Sequence, residues 1–377
     1  MNEAKAARYQ RFRRRADVVS AVAGIVVLAS CGLTPLGAWL AEWTRGAVAG
    51  VVAPWQSLAE VVVFVAVLAA ALEVLAVPAM VYLGVSLDRR FKRAENSVGG
   101  LVSAQLHAAL VGVVSAVVVG VVVHFAVRVA GGWWWLVTGV ALSALLAAAV
   151  RGVSSLIARS GAAAALQNPE LAARLAQVSA DAGVPVAGIF EWREHGHDAY
   201  TASVTGFGGG RRVLIAPDVL RDWSHDEIAV VVAHELSHHK HHDLIQALIL
   251  DALLLSSSLA AADVGLRVFG AAPGGVLSLP LIALVAGGMW IGGTPARLGL
   301  SRWQERRADQ FALALTGQRD AFAAAVRRLS AQHLVEERPS PLIRWLYHRH
   351  PTVEERLAMA MSPGSRVQGP GFKDYDR

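Results

Sequence analysis

The run Val231-Val232-Ala233-His234-Glu235-Leu236-Ser237-His238 decides how this chain is read. A helix turns about 100° per residue, so side chains four apart stack on one face. His234 and His238 can therefore aim two imidazole nitrogens at one ion, with Glu235 on the adjoining face. Two neutral imidazoles and a carboxylate base are the donor set of a hydrolytic zinc site: the ion acidifies a bound water and the glutamate accepts its proton. Just upstream, Ser224-His225-Asp226-Glu227 has the form of a capping box, so the helix is expected to start there. It is apolar over 228–233 and then meets His239, Lys240, His241, His242 and Asp243. That is too short and too polar at its end to cross a bilayer.

Outward from this helix the composition is not that of a soluble protein. Of 377 residues, 54% are hydrophobic and 17% charged, and the mean hydropathy is +0.44. Apolar runs lie at about 18–40, 61–87, 101–130, 133–157, 244–269 and 276–291, and several exceed the roughly 20 residues needed to span a bilayer core. The basic start (Lys5, Arg8, Arg11, Arg13, Arg14, Arg15) resembles a signal peptide. No small-residue cleavage site bounded by a polar mature domain follows it, and further spans do, so the first run is expected to be a retained anchor. Cys31 is the single cysteine and lies within that run, which excludes a disulfide framework and a cysteine zinc site.

The net charge of +6 does not indicate nucleic acid, because the basic residues gather at alternate span ends. They occur at the N-terminus, at Arg89, Arg90, Lys92 and Arg93, at Arg151 and Arg159, and at Arg297 and Arg302. The intervening connectors hold almost none, Arg45 excepted. The positive-inside rule then gives six spans with both termini in the cytoplasm, in the plasma (inner) membrane, and puts the metal site at the cytoplasmic surface. Trp39, Trp43, Trp55 and the triplet Trp133–Trp135 suit an interfacial belt, and the triplet suits core packing nearly as well.

The polar material is split by the spans. The expected organisation is a four-span membrane region (1–157), a first catalytic part with the zinc helix (158–243), a two-span hairpin (244–294), a second catalytic part (295–361) and a disordered tail (362–377). Helical spacing covers 168–181, and strands are expected at 184–192 and 212–216 with a glycine turn at 206–210. Further helices are expected at 301–315, 320–332 and 353–361. The fold class is mainly α and polytopic, with about six transmembrane helices and a split cytoplasmic α+β zincin domain.

Two histidines leave the metal one ligand short, since catalytic zinc usually has three protein ligands and an open position. His242 lies eight residues beyond His234, a rise of about 12 Å on a straight helix, too far for one ion. A third histidine ten residues after His234 is excluded because that position is Leu244. Glu305 in Ser301-Arg302-Trp303-Gln304-Glu305-Arg306-Arg307-Ala308-Asp309 remains. Asp309, one turn later, can accept the free N–H of a ligand histidine and fix its tautomer.

With these pieces the chain resembles the membrane-embedded gluzincin peptidases of the CAAX prenyl protease type, whose relatives include the bacterial heat-shock membrane protease. The resemblance covers about 198–358. It rests on Thr205-Gly206-Phe207-Gly208, Arg211-Arg212-Val213-Leu214, His234 to His238, Glu305 with Ala308-Asp309, and His350-Pro351 with Arg356. It implies one Zn2+ per chain on His234, His238 and Glu305, with Glu235 as base and Asp309 orienting a ligand histidine. It also implies that a strand around Asp198, Ala199 and Tyr200 pairs with an extended substrate. His350 and Arg356 would help hold the substrate or the oxyanion. Relatives carry Asn-Ala where this chain has Asp198-Ala199, and a carboxylate cannot donate to a substrate carbonyl.

The expected activity is therefore zinc-dependent hydrolysis of peptide bonds in membrane proteins or membrane-associated peptides, with the lipid bilayer as surroundings and no nucleic-acid partner. CAAX-type processing is what the resemblance implies for substrate. A protease-type transmembrane sensor needs an external ligand-binding domain, and no external connector here exceeds about 20 residues. A non-catalytic metal-binding membrane protein fits poorly with an intact Glu235. The spans also carry few ionisable residues, chiefly Glu73, His107, His124 and Asp251.

Overall fold

Proline and glycine decide where the apolar runs break. The computed structural model describes residues 3–87, 90–91, 98–159, 163–192, 202–332, 335–336 and 338–361. Asp198, Ala199, Tyr200, Arg89, Lys92, Arg93 and the tail 362–377 lie outside the described residues. The N-terminal part is helical: α1 (Glu3–Leu33), α2 (Pro35–Ala47), α3 (Ala53–Val81), α4 (Val98–Ala130) and α5 (Trp134–Arg159). A mixed stretch follows, β1 (Ala163–Ala165), α6 (Pro169–Asp181), β2 (Gly188–Trp192), β3 (Ala202–Thr205), β4 (Arg212–Ile215), α7 (Pro217–Asp222) and α8 (His225–Lys240). The chain then returns to helix with α9 (Asp243–Val268), α10 (Ser278–Gly292), α11 (Thr294–Thr316), α12 (Arg319–Gln332), α13 (Pro341–Tyr347) and α14 (Val353–Met361).

The run 18–40, expected as one span, is two helices. Pro35 has no N–H to continue the ladder and pushes Thr34 into extended backbone (φ −127, ψ 168). Thr34 Oγ1 then caps α2 by accepting the Leu36 N–H at 3.3 Å. At this corner Gly37 comes so close to α1 that a Cβ would lie 1.8 Å from the Cys31 carbonyl oxygen, which only glycine tolerates. Pro78 sits inside α3, whose end winds into a π-helical turn at Tyr82–Leu87, the expected response to a missing N–H.

Five runs among the described residues are long and apolar enough to cross a membrane: Lys5–Leu33, Ala53–Leu87, Gly99–Val153, Asp243–Val268 and Ser278–Thr316. The third holds 55 residues and is broken by a 3-10 turn at Gly131–Trp133, where Gly131 has φ +52. A single helix of that length would measure about 80 Å against a bilayer core of about 30 Å, so α4 and α5 count as separate crossings. The protein is a multi-pass membrane protein with about six crossings. In the last run the apolar part is α10 and its continuation, since α11 is charged from Arg297 onward.

Contacts divide the chain into two units. The membrane unit comprises Arg8–Ala147 and Ile249–Thr294. In it the tryptophan triplet splits between both expected roles. Trp134 is fully buried among Val123, Ala126, Leu259, Ala262 and Leu266, and its Nε1–H donates to Asp263 Oδ1 at 2.7 Å. Trp133 is exposed, as are Trp39, Trp43 and Trp55.

The other unit, built chiefly from 148–248 and from 295 onward, holds a four-stranded sheet in the order β1-β2-β4-β3. β2 and β4 run parallel with Phe190 opposite Leu214, and β1 and β3 flank them antiparallel. β3 is the strand that the turn at 206–210 implies, whereas β1 escapes sequence reading because it is three alanines with little strand propensity. α6 is capped by Asn168, whose Oδ1 accepts the Leu171 N–H at 3.0 Å. Leu171, Leu175, Val213, Ile215, Val219, Ile228, Val232 and Leu236 fill the core between sheet and helices.

Candidate metal centre

α8 is fixed before it presents a ligand. Ser224 Oγ accepts the Glu227 N–H at 3.2 Å, and the Glu227 carboxylate accepts the Ser224 N–H at 2.7 Å. This closed capping box contributes on the order of 1 kcal/mol. Ile228, Val232 and Leu236 bury against the sheet, while Val230 and Ala233 pack on Ala312, Phe322 and Val326. Held on two sides, the helix leaves a third face for His234 and His238.

That face meets Glu305 of α11. His234 Nε2 is 3.3 Å from Glu305 Oε2 and 3.3 Å from His238 Nε2, and His238 Nε2 is 3.8 Å from Glu305 Oε1. A tetrahedral ion with bonds of about 2.0–2.1 Å separates its ligand atoms by about 3.3 Å, so the triangle has the size of a zinc site. The protons argue the same way. His234 Nδ1 faces Asp309 Oδ1 at 3.0 Å and His238 Nδ1 faces Asp243 Oδ2 at 2.7 Å. His238 Nδ1 bonds the Asp243 carboxylate, and with both histidines in the tautomer that turns the Nδ1 proton to its aspartate, both Nε2 lone pairs point toward Glu305. A cation between them would accept both lone pairs and suit that arrangement.

Each aspartate is in turn neutralised by an arginine. Arg356 grips Asp309 with two bonds, Nε to Oδ2 at 2.8 Å and an amino group to Oδ1 at 2.6 Å. Arg307 pairs with Asp243 and stacks over Trp303, while Gln304 donates to the Asp243 carbonyl at 3.1 Å. The two ligand histidines thus have matching supports, His234–Asp309–Arg356 and His238–Asp243–Arg307.

The carboxylates around the site favour positive charge there. Burial disfavours the charged form of His234, but Asp309 and Glu305 outweigh it and push the imidazole up to about 10. Burial would raise Glu305, yet His234 and His350 hold it well below the usual carboxylate range. Asp309 is likewise held down, with Arg356 and His234 overcoming its burial. Glu235 goes the other way: its burial raises it above the ordinary glutamate range. A group that takes a proton and gives it back works best with such an upward shift.

Of the other residues singled out in the sequence, His350 has its Nδ1 2.9 Å from Glu305 Oε2, with its side chain 61% exposed. Its loop is clamped by Arg302, which donates to the His348 carbonyl at 2.7 Å, and by the Thr352–Glu355 capping box. Arg356 is placed behind the site on Asp309. His242 is not among the converging ligands. Its backbone is left-handed, φ 57, and it turns the chain from α8 into α9.

Sequence reasoning missed Asp243, Arg307 and His239. Asp243 follows His238 by five residues, a spacing that no straight helix brings to one face. The signal was the end of the polar stretch 239–243, where a new apolar helix begins. Removing the Asp243 carboxylate with Asp243→Ala should weaken zinc binding about 10- to 100-fold, the usual worth of a partner that orients a metal-bound histidine. A chelator competition titration would read it, and unchanged affinity would deny Asp243 that role. His239 is half-buried, its imidazole lowered by that burial, and its Nε2–H donates to the Val204 carbonyl of β3 at 2.9 Å.

The sequence model of peptidase family M48 matches residues 165–363. A second, described as the CAAX prenyl protease N-terminal region of five membrane helices, matches residues 2–158. The chain is similar to the uncharacterized metalloprotease YhfN of Bacillus subtilis, 26% identical over 222 residues, covering 56% of this chain and 51% of that protein. It is 27% identical over 158 residues to a protease HtpX homolog of Bacteroides fragilis, covering 39% of this chain and 49% of the relative. The matches thus span about half the length of these two relatives. The crystal structure of S. mikatae Ste24p superposes with a TM-score of 0.74 at 17% identity, covering 96% of this chain and 89% of that one, which establishes a shared fold.

Proposed function

The chain belongs to peptidase family M48, a family of metal-dependent proteases, and on that footing we propose that it is a zinc endopeptidase cutting membrane proteins or membrane-associated peptides at the cytoplasmic face of the plasma membrane. The observation that carries this reading is the convergence of His234 Nε2, His238 Nε2 and a Glu305 oxygen, with the half-buried Glu235 on the same helix as the two histidines. Zinc bound there would act as a Lewis acid, acidifying water and polarising the scissile carbonyl. Glu235 takes the proton of the attacking water and passes it to the leaving amine. Asp309 and Asp243 would hold the two imidazoles in the tautomer that leaves Nε2 free for the ion. His350, beside Glu305 and largely exposed, would donate to the developing oxyanion.

An extended substrate would add to the sheet on the side of β3, its end strand among the described residues, gaining main-chain hydrogen bonds with little demand on sequence. That suits a protease acting on many membrane proteins at least as well as CAAX processing. The most direct test of substrate is mass spectrometry of membrane proteins from cells carrying Glu235→Gln. Proteins that accumulate there and are cut by the purified wild type are substrates, and accumulation of prenylated proteins alone would select the CAAX reading.

Orientation rests on the charge asymmetry of the span ends. Reporter fusions after residue 200 and after residue 370 should both report the cytoplasm. A periplasmic signal from either would place the catalytic residues on the other side.

A further inference from the structure

Between α11, the stretch 338–345 and the start of α14 lies an open cavity of about 880 Å³, a size common among ligand pockets. Its walls carry Arg302, Arg306, Arg338 and Arg344 against two carboxylates, Glu354 and Glu355. Spacings of three and four residues put Gly299, Arg302 and Arg306 on one face of α11. The inner charges do not cancel. Glu355 alone serves two guanidiniums, Arg344 at 2.7 Å and Arg306 at 3.4 Å, and it also accepts the Thr352 N–H at 3.0 Å. Arg302 donates to the carbonyls of Arg344 and His348, at 3.2 and 2.7 Å, and among the described residues no carboxylate pairs with it. Burial, with Arg344 and Arg306 close by, pulls Arg302 below the ordinary arginine value. The Arg338–Glu354 pair, 3.8 Å apart, is exposed on both sides and offsets little. Three arginines thus share one carboxylate around an open space.

We propose that this cavity binds the phosphate group of an anionic lipid, held by Arg302, Arg306 and Arg344. A guanidinium offers phosphate oxygens two parallel donors, and the phosphate supplies the negative charge that Glu355 cannot spread over three arginines. The rim favours a lipid over phosphate free in solution. Trp345 lines the cavity and is 52% exposed, and Leu342, three residues earlier on the same face of α13, is 64% exposed. Exposed tryptophan and leucine beside arginines are the composition of an element lying at a membrane surface. Chain order fits as well: α11 follows the apolar α10 after a single residue, Gly293, and Arg302 lies in its third turn. The site stands apart from the peptidase reading and does not depend on it.

The test uses the full-length, zinc-loaded protein in a neutral detergent and native mass spectrometry, which resolves each added lipid by its mass. Phosphatidylglycerol is the probe, phosphatidylcholine the zwitterionic control and inorganic phosphate the soluble one. Arg302→Gln and Arg306→Gln should each weaken the first phosphatidylglycerol bound by roughly 5-fold, the contribution of one basic residue at an anionic surface. Phosphatidylcholine should bind the wild type more weakly and be indifferent to both substitutions. Arg306 is exposed and makes no bond to the main chain of the His350 loop, so Arg306→Gln decides the matter should Arg302→Gln fail to fold. Wild-type affinity for phosphatidylglycerol in the zinc-bearing variants, or equal affinity of the wild type for the two lipids, would overturn the proposal. Displacement of the lipid by an equal concentration of inorganic phosphate would also overturn it, and would make the cavity a site for free phosphate.

Discussion

Glu235→Gln should retain zinc and lose peptidase activity by roughly 100-fold or more, the contribution expected of a positioned general base. The amide keeps the size of the side chain and its place in α8 but cannot accept the proton of the attacking water. Metal content should not change, because the converging donors are His234, His238 and Glu305. Two measurements on one preparation decide it: zinc by atomic absorption and initial rates on casein. A variant that holds zinc and cleaves at the wild-type rate would remove Glu235 from the mechanism. The protein would then be a metal-binding membrane protein without this hydrolytic route.

Glu305→Ala should have the opposite signature, losing the metal and, as a consequence, the activity. Glu305 supplies the only carboxylate among the three converging ligands. Without it the two Nε2 atoms face each other at 3.3 Å with no third donor. The expected loss of zinc affinity exceeds roughly 100-fold, the upper end of what an outer partner such as Asp243 supplies. The same substitution releases His350, whose Nδ1 now sits 2.9 Å from Glu305. Full zinc occupancy in this variant would give the third position to another residue, His242 being the nearest alternative in sequence.

What the sequence made legible was whatever depends on local periodicity. The i, i+4 spacing of His234 and His238, the same spacing of Glu305 and Asp309, the Ser224–Glu227 capping box and the apolar runs are features of single helices. The structure places them in helices α8 and α11 and in the membrane unit. What escaped depends on turns and on pairing across the chain. Asp243 reaches His238 because His242 adopts a left-handed backbone, a conformation that a histidine seldom takes and that no spacing rule anticipates. Arg307 was one of several basic residues on α11, and only the fold brings it to Asp243. The break at Thr34-Pro35 was readable in principle, since proline cannot continue the ladder, but the unbroken apolarity of 18–40 masked it.

Arg356 shows how the same residue looks different in three dimensions. Its family resemblance suggests a hold on substrate or oxyanion, whereas here both of its bonds go to Asp309. In this position it neutralises the carboxylate that orients His234. We therefore propose that its effect on catalysis passes through the metal ligand.

The central claim, that His234, His238 and Glu305 share one ion, is tested most directly by an anomalous-difference map at the zinc edge. The account predicts a single strong peak per chain, about 2.0–2.2 Å from His234 Nε2, His238 Nε2 and a Glu305 carboxylate oxygen. A peak held by His242 or His239, or no peak between the two Nε2 atoms in fully active protein, would contradict it.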